Sequence, residues 1–216
     1  LTPVLDSVFR LGFPASRARR AACAALIAFT SPAAVAAPEE FVIDSGHAFP
    51  SFEVRHLGIA TQRGRFNRTS GTILLDREAG VGSVDVLIDA RSIDTGNGVL
   101  DDLLRGPSFF DVARYPEIRY KSVQASLVEG KTSRIDGELT LLGVTRPVVL
   151  EVSGFGCTRK PLLVVLRCGA DMKATFRRSE FGMSAMSSFV SDEVTILIQA
   201  EAVHPTHQSS NQDEPN

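Results

Sequence analysis

Leu162-Leu163-Val164-Val165-Leu166-Arg167-Cys168-Gly169-Ala170-Asp171-Met172-Lys173-Ala174-Thr175-Phe176-Arg177 carries the longest alternation in the chain. Leu162, Val164, Leu166, Cys168, Ala170, Met172, Ala174 and Phe176 share one parity, while Arg167, Asp171, Lys173 and Arg177 share the other. Successive side chains of an extended strand point to opposite faces, so this stretch reads as a strand with one face in a core and one in water.

The same period spreads outward in both directions. Downstream, Val194, Ile196, Ile198 and Ala200 form a face; upstream, Val148, Leu150 and Val152 form another. Ile135, Leu139 and Leu141 oppose Asp136, Glu138 and Thr140; Ile118, Tyr120 and Ser122 oppose Arg119 and Lys121. Val84, Val86, Ile88 and Ala90 alternate with Asp85 and Asp89, and Phe52, Val54 and His56 with Glu53 and Arg55. With the stretch around Ile73 and Leu75, eight strands are predicted. Turn residues separate them at Gly58, Arg77–Gly80, Glu129-Gly130-Lys131, Leu142–Pro147 and Phe181-Gly182.

Eight one-faced strands imply an all-β, antiparallel barrel or sandwich. The barrel is preferred because closure removes strand edges, and eight strands leave room for one small or elongated ligand. The sandwich stays open, since alternation does not report closure. One interval departs from period two: Val99-Leu100-Asp101-Asp102-Leu103-Leu104-Arg105 has helical spacing and stops at Gly106-Pro107. It is predicted to be a short helix capping one end, with Phe109 and Phe110 packing on the rim and lining the entrance.

The first 36 residues follow other rules. Arg10, Arg17, Arg19 and Arg20 precede the apolar run Ala21–Phe29, and Ala34-Val35-Ala36 follows it. That is the order of a secretory signal peptide, with cleavage expected after Ala36. The chain opens on Leu1 rather than Met, so a misplaced or truncated start is expected. Residues 37–203 are then the barrel, and 204–216 a polar, disordered tail containing His204 and His207. Removing the four arginines together with Asp6 takes the formal charge from −2 to −5. Such mild acidity gives no basic footprint for nucleic acid. After cleavage the protein is not an integral membrane protein, its expected location is the periplasm, and a monomer or homodimer is expected.

Export also changes how the cysteines read. Cys23 leaves with the signal, and Cys157 and Cys168 remain as an even pair in an oxidising compartment, predicted to form a disulfide. No metal site is expected: the residues between the two cysteines are not ligands, and His47 and His56 have no third ligand in view.

The candidate binding residues are the inward-facing ones. Phe52, Val54, Val86, Ile88, Tyr120 and Leu139 come from the first strands, Met172, Ala174, Phe176 and Ile198 from the last, and Leu104 and Phe109 from the cap. His56 shares parity with Phe52 and Val54, so it is placed on the inner face. There it is either a hydrogen-bonded core histidine or a contact for a ligand head group. Small Ala170, Ala174 and Ala200 beside Met172 and Phe176 set the lumen volume. Asp101 reads as a structural carboxylate near the helix start. Arg91, Arg105 and Arg178 read as solvated or ion-paired, with contact to a phosphate as the alternative.

These residues also carry a resemblance covering nearly all of residues 37–203. Ile43-Asp44-Ser45-Gly46-His47, Phe52–Gly58 and Gly64-Arg65-Phe66 resemble the opening of the YceI-like family of lipid- and polyisoprenoid-binding periplasmic proteins. Ser92–Thr95, Asp101, Leu104-Arg105, Phe109-Phe110-Asp111 and Tyr115–Ile118 resemble its central block. Gly137–Thr140, Gly143–Pro147 and Arg178–Gly182 complete the series in order. The resemblance implies an extended lipocalin-like barrel holding an isoprenoid tail, either a polyprenyl chain or an isoprenoid quinone, and no cofactor beyond that lipid. In the family's usual central block Arg and His stand where this chain has Leu100 and Leu103, and in its opening a Ser follows the first His where this chain has Ala48. That implies a less polar head group or a mouth closed by hydrophobic packing. A small-barrel isomerase or cyclase and a structural or stress-related interaction protein are the competing classes. Catalysis is not expected, because no nucleophile, phosphate loop or metal signature appears.

Overall fold

In the computed structural model, residues 37–127, 133–159 and 165–205 are described. Eleven strands follow one another: β1 Glu39–Ala48, β2 Ser51–His56, β3 Ala60–Phe66, β4 Thr69–Asp76, β5 Val81–Asp89 and β6 Ile93–Asp94. Then come α1 Gly98–Arg105, β7 Glu117–Ser126, β8 Ser133–Leu141, β9 Val144–Thr158, β10 Arg167–Arg177 and β11 Val190–Val203. The hydrogen-bonded order β1-β4-β5-β7-β8-β9-β10-β11 closes through antiparallel pairing of β1 with β11. Eight strands therefore ring the barrel, and the sandwich alternative falls.

The count matches the expectation, but the membership does not. Alternation places Phe52–His56 among the ring strands, whereas β1 completes the ring. β1 escaped the reading because its register slips between Ile43 and Ala48, which breaks the alternation. Strand β11 explains the arrangement: Ala200, Ala202 and Val203 pair with β1, while the half from Val190 to Leu197 pairs with β2. β2 continues into β3, and β3 pairs with β6 through Arg65↔Asp94 and Phe66↔Ile93. A three-stranded flap thus extends one end of the ring.

Helix α1 follows the flap. Asn97 caps its N-terminus by accepting from the N–H groups of Val99 and Leu100, and Gly106 and Pro107 end it. The turn after β8 is tighter than expected: only Leu142 and Gly143, both at positive φ, separate β8 from β9, and Thr145, Arg146 and Pro147 belong to the strand. Cys157 and Cys168 lie opposite each other across β9 and β10 and form a disulfide. The signal-peptide residues, the 129–131 turn, Leu162, Val164 and the tail from 206 onward lie outside the described residues. His204, read as part of that tail, instead stacks edge-on to Phe41 with ring centroids 5.5 Å apart, and its N–H donates to the Leu166 carbonyl.

Candidate functional site: the barrel cavity

The inner faces of the strands enclose a cavity of about 210 Å³. At one end Phe41, Leu75, Leu127 and Ile135 form the floor; Val86, Ile88, Tyr120, Leu139, Met172, Ala174, Phe176 and Ile198 line the wall. At the other end Phe52, Val54, Leu104, Phe109 and Phe110 close over it. Twelve of the thirteen residues singled out from the sequence therefore border one space. His56 does not. The cavity lining on β2 stops at Val54, and His56 sits at the strand's end, opposite Ala60 and Val190.

Two glycines explain how large rings fit the wall. A Cβ at Gly64 would lie 2.4 Å from the Phe52 ring, and one at Gly137 would lie 2.5 Å from the Tyr120 ring and its hydroxyl. Each aromatic side chain thus lies across a glycine of the neighbouring strand. Phe52 then meets Phe66 and Phe110 at centroid separations of 6.0 and 6.4 Å, and Phe66 meets Phe110 edge-on at 5.5 Å. This aromatic cluster was only partly visible in the sequence, because Phe66 and Phe110 reach the cavity from a flap and a loop.

The cap seals with fewer leucines than the helical spacing implied. Leu104 lines the cavity, Leu100 does not, and Leu103 faces outward. Asp101 is structural as expected: its carboxylate accepts from the N–H and hydroxyl of Thr95 at 2.8 and 2.7 Å. Arg105 ties the helix down by donating to the carbonyls of Arg91 and Ile93 and to Asp102. Arg91 pairs with Asp89.

Polar groups at the cavity wall are few and mostly engaged. The Tyr120 hydroxyl lies 3.0 Å from the carbonyls of both Ile135 and Val148, and burial pushes its pKa well above the usual tyrosine range. Glu201 accepts from Arg167. Arg178, read as solvated or ion-paired, is neither: it is 3% exposed and donates to the carbonyls of Ser191, Met183, Ala185 and Val190 at 2.8–3.1 Å. Its guanidinium pins the segment between β10 and β11 rather than awaiting an anion. Thr69 is the exception. It is 4% exposed, faces the cavity beside Ile88, and its hydroxyl has no hydrogen-bond partner.

Outside the wall, the β1 bulge brings Asp44 and His47 near Glu201. Arg167 donates to both carboxylates there and holds the Asp44 carboxyl below its usual range. A guanidinium thus already supplies the cation that this group attracts.

A closed antiparallel barrel with an apolar cavity and a helical cap defines the lipocalin-like class. Residues 41–202 match the YceI-like domain, and the chain belongs to that family. It is 32% identical to the UPF0312 protein of Yersinia pestis strain Pestoides F over 176 residues, covering 81% of this chain and 91% of that one. The fold is similar to BcnA of Burkholderia cenocepacia, with a TM-score of 0.64, 22% identity, and coverage of 74% of this chain and 98% of that one. It is also similar to a polyisoprenoid-binding domain from Saccharophagus degradans, with a TM-score of 0.56, 15% identity, and coverage of 78% and 99%.

Proposed function

We propose that the barrel holds an isoprenoid lipid, a polyprenyl chain or an isoprenoid quinone, in the periplasm, and that it binds this lipid for storage, transport or sensing without transforming it. One observation carries the reading: inward side chains from every ring strand, from Phe41 on β1 to Ala202 on β11, make a single apolar wall. Family membership and the likeness to a polyisoprenoid-binding domain support the choice of lipid. The Cys157–Cys168 disulfide suits an oxidising compartment.

Energetics favour tail recognition. Each carbon of an isoprenoid tail moved out of water contributes about 0.8 kcal/mol gross, against roughly 1 kcal/mol net for one head-group hydrogen bond. Binding is favoured over catalysis because, among the described residues, the ionisable groups bordering the cavity, Tyr120, Arg178 and Glu201, are committed to carbonyls or to an ion pair. None is positioned to move a proton on a ligand. Organic extraction and mass spectrometry of protein purified from its own cells tests this directly. A prenyl lipid in near-stoichiometric amount is the expected result; an extract holding only straight-chain acyl lipids would overturn the isoprenoid assignment.

A further inference from the structure

Two turns at the flap end break the usual surface pattern together. Leu57 and Ile59, in the turn between β2 and β3, are 51% and 80% exposed; Met186 and Phe189, just ahead of β11, are 47% and 51% exposed. The turns adjoin, with the Leu57 N–H donating to the Phe189 carbonyl at 2.7 Å. From Leu57 to Gln62 and from Phe181 to Ser191 no Asp, Glu, Lys or Arg occurs, although 22% of the chain is charged. Turns normally carry polar residues, so four large apolar side chains on neighbouring tips form an interaction surface rather than scattered exposure.

The backbone reinforces this. Leu57 and Met186 both have positive φ, at 52° and 54°. Leu57, Gly58 and Ile59 form a three-residue loop between the paired His56 and Ala60, and Leu57 there takes a backbone conformation that Gly or Asn ordinarily supplies. Several main-chain polar groups of the tips are also paired locally: Ile59 N–H to His56, Phe189 and Val190 N–H to Met186, and the Gly58 carbonyl to the Arg55 guanidinium. Such pairing is what a segment entering a low-dielectric medium requires. The tips lie just beyond the end of the cavity, whose lining includes Val54, Met183 and Val190.

We infer that these two turns are a membrane-docking tip, seating Leu57, Ile59, Met186 and Phe189 at the boundary of head groups and acyl chains of an uncharged lipid surface. The inference rests on the lipid-carrier reading for its purpose, because a cargo insoluble in water is collected from a bilayer. The bilayer is favoured over a second copy of the chain because the patch is a pair of apolar turn tips rather than a flat sheet face, with a cation at its edge where head-group oxygens would lie: the exposed Arg55 donates to the Gly58 carbonyl and to Thr61. It resembles an interfacial anchor in setting apolar side chains beside polar ones, here Ser187, Ser188 and the Arg55 guanidinium.

The test is co-flotation with phosphatidylcholine vesicles, using the protein as retained by its cells, the variant Ile59→Ser/Phe189→Ser, and the variant Leu57→Asn/Met186→Asn. Wild-type protein is expected to float, and each variant to partition about tenfold less. Loading of a polyprenyl quinone from detergent micelles should stay within about twofold of wild type. The asparagine variant should melt no lower than wild type, because Asn accepts positive φ better than Leu or Met. Wild-type protein that stays with the soluble fraction overturns the inference, as do variants that float equally well. A wild-type dimer that either variant dissociates would overturn it in favour of self-association. Loading is read without vesicles and flotation without added quinone, so failure of the carrier reading and failure of the docking tip give different results.

Discussion

The ring wall and the capped end of this barrel are built by different rules. Along the wall, neighbouring strands keep register over long stretches, as in the unbroken pairing of β10 with β11 from Arg167↔Val203 to Arg177↔Glu193. Carbon faces inward, and charge faces outward in pairs such as Arg119–Asp85 and Arg77–Glu39. At the capped end, a flap, a short helix and two uncharged turns meet, with a buried arginine satisfied only by carbonyls and non-glycine residues at positive φ. The wall supplies volume and stability through repetition. The end supplies closure through single, irreplaceable contacts, so the effects of mutation should differ in kind between the two.

The sharpest test removes one such contact. Arg178→Met leaves the carbonyls of Met183, Ala185, Val190 and Ser191 without their donor in a buried site. Hydrogen bonds to a charged group are worth about 1.5–3 kcal/mol each and are not additive, so a loss on the order of 4 kcal/mol is expected from urea titration. A change below about 1 kcal/mol would show that the end is held by packing alone.

Next in size is the covalent tie within the wall. Replacing Cys157 and Cys168 by serine releases a loop of sequence separation 11, expected to cost about 3 kcal/mol while leaving the barrel folded. Thiol titration of denatured, oxidised protein should find neither cysteine free, and two titrating thiols would remove the disulfide from this account.

Lumen volume against head-group contact comes third. Ala174, 5% exposed, faces the cavity, whereas His56 lies outside its lining. Ala174→Phe should weaken binding of a long-tailed quinone by about tenfold or more, at about 1–3 kcal/mol of stability from overpacking. His56→Gln should change binding by less than about twofold. The reverse order, in side-by-side titrations of folded proteins, would transfer recognition to the polar end.

The smallest effect has the opposite sign. Thr69→Val keeps the shape of the side chain and removes a buried hydroxyl that has no partner. The ligand-free protein should gain about 1 kcal/mol. A loss instead would mean that the hydroxyl is satisfied by a bound water or ligand oxygen, which calorimetry with and without the quinone would separate.

The sequence alone determined the wall except for β1. Alternation identified β2, β4, β5, β7, β8, β10 and β11 and the middle of β9, and it put Met172, Ala174, Phe176, Tyr120 and Ile198 on the inner face. Parity is a local property, fixed by the geometry of one extended chain, and it survives any arrangement of partners. Helical spacing ending at Gly106-Pro107 located α1 for the same reason. Tertiary structure decided what local rules do not encode. Whether the sheet closes depends on β1 meeting β11 across more than 150 residues of intervening chain, and a bulge concealed β1 from alternation. His56 keeps the parity of Phe52 and Val54 yet leaves the cavity, because the lumen ends before the strand does. Arg178 reads like any surface arginine until four carbonyls from residues 183–191 converge on it. Parity says which way a side chain points, and only the packed fold says what lies in that direction.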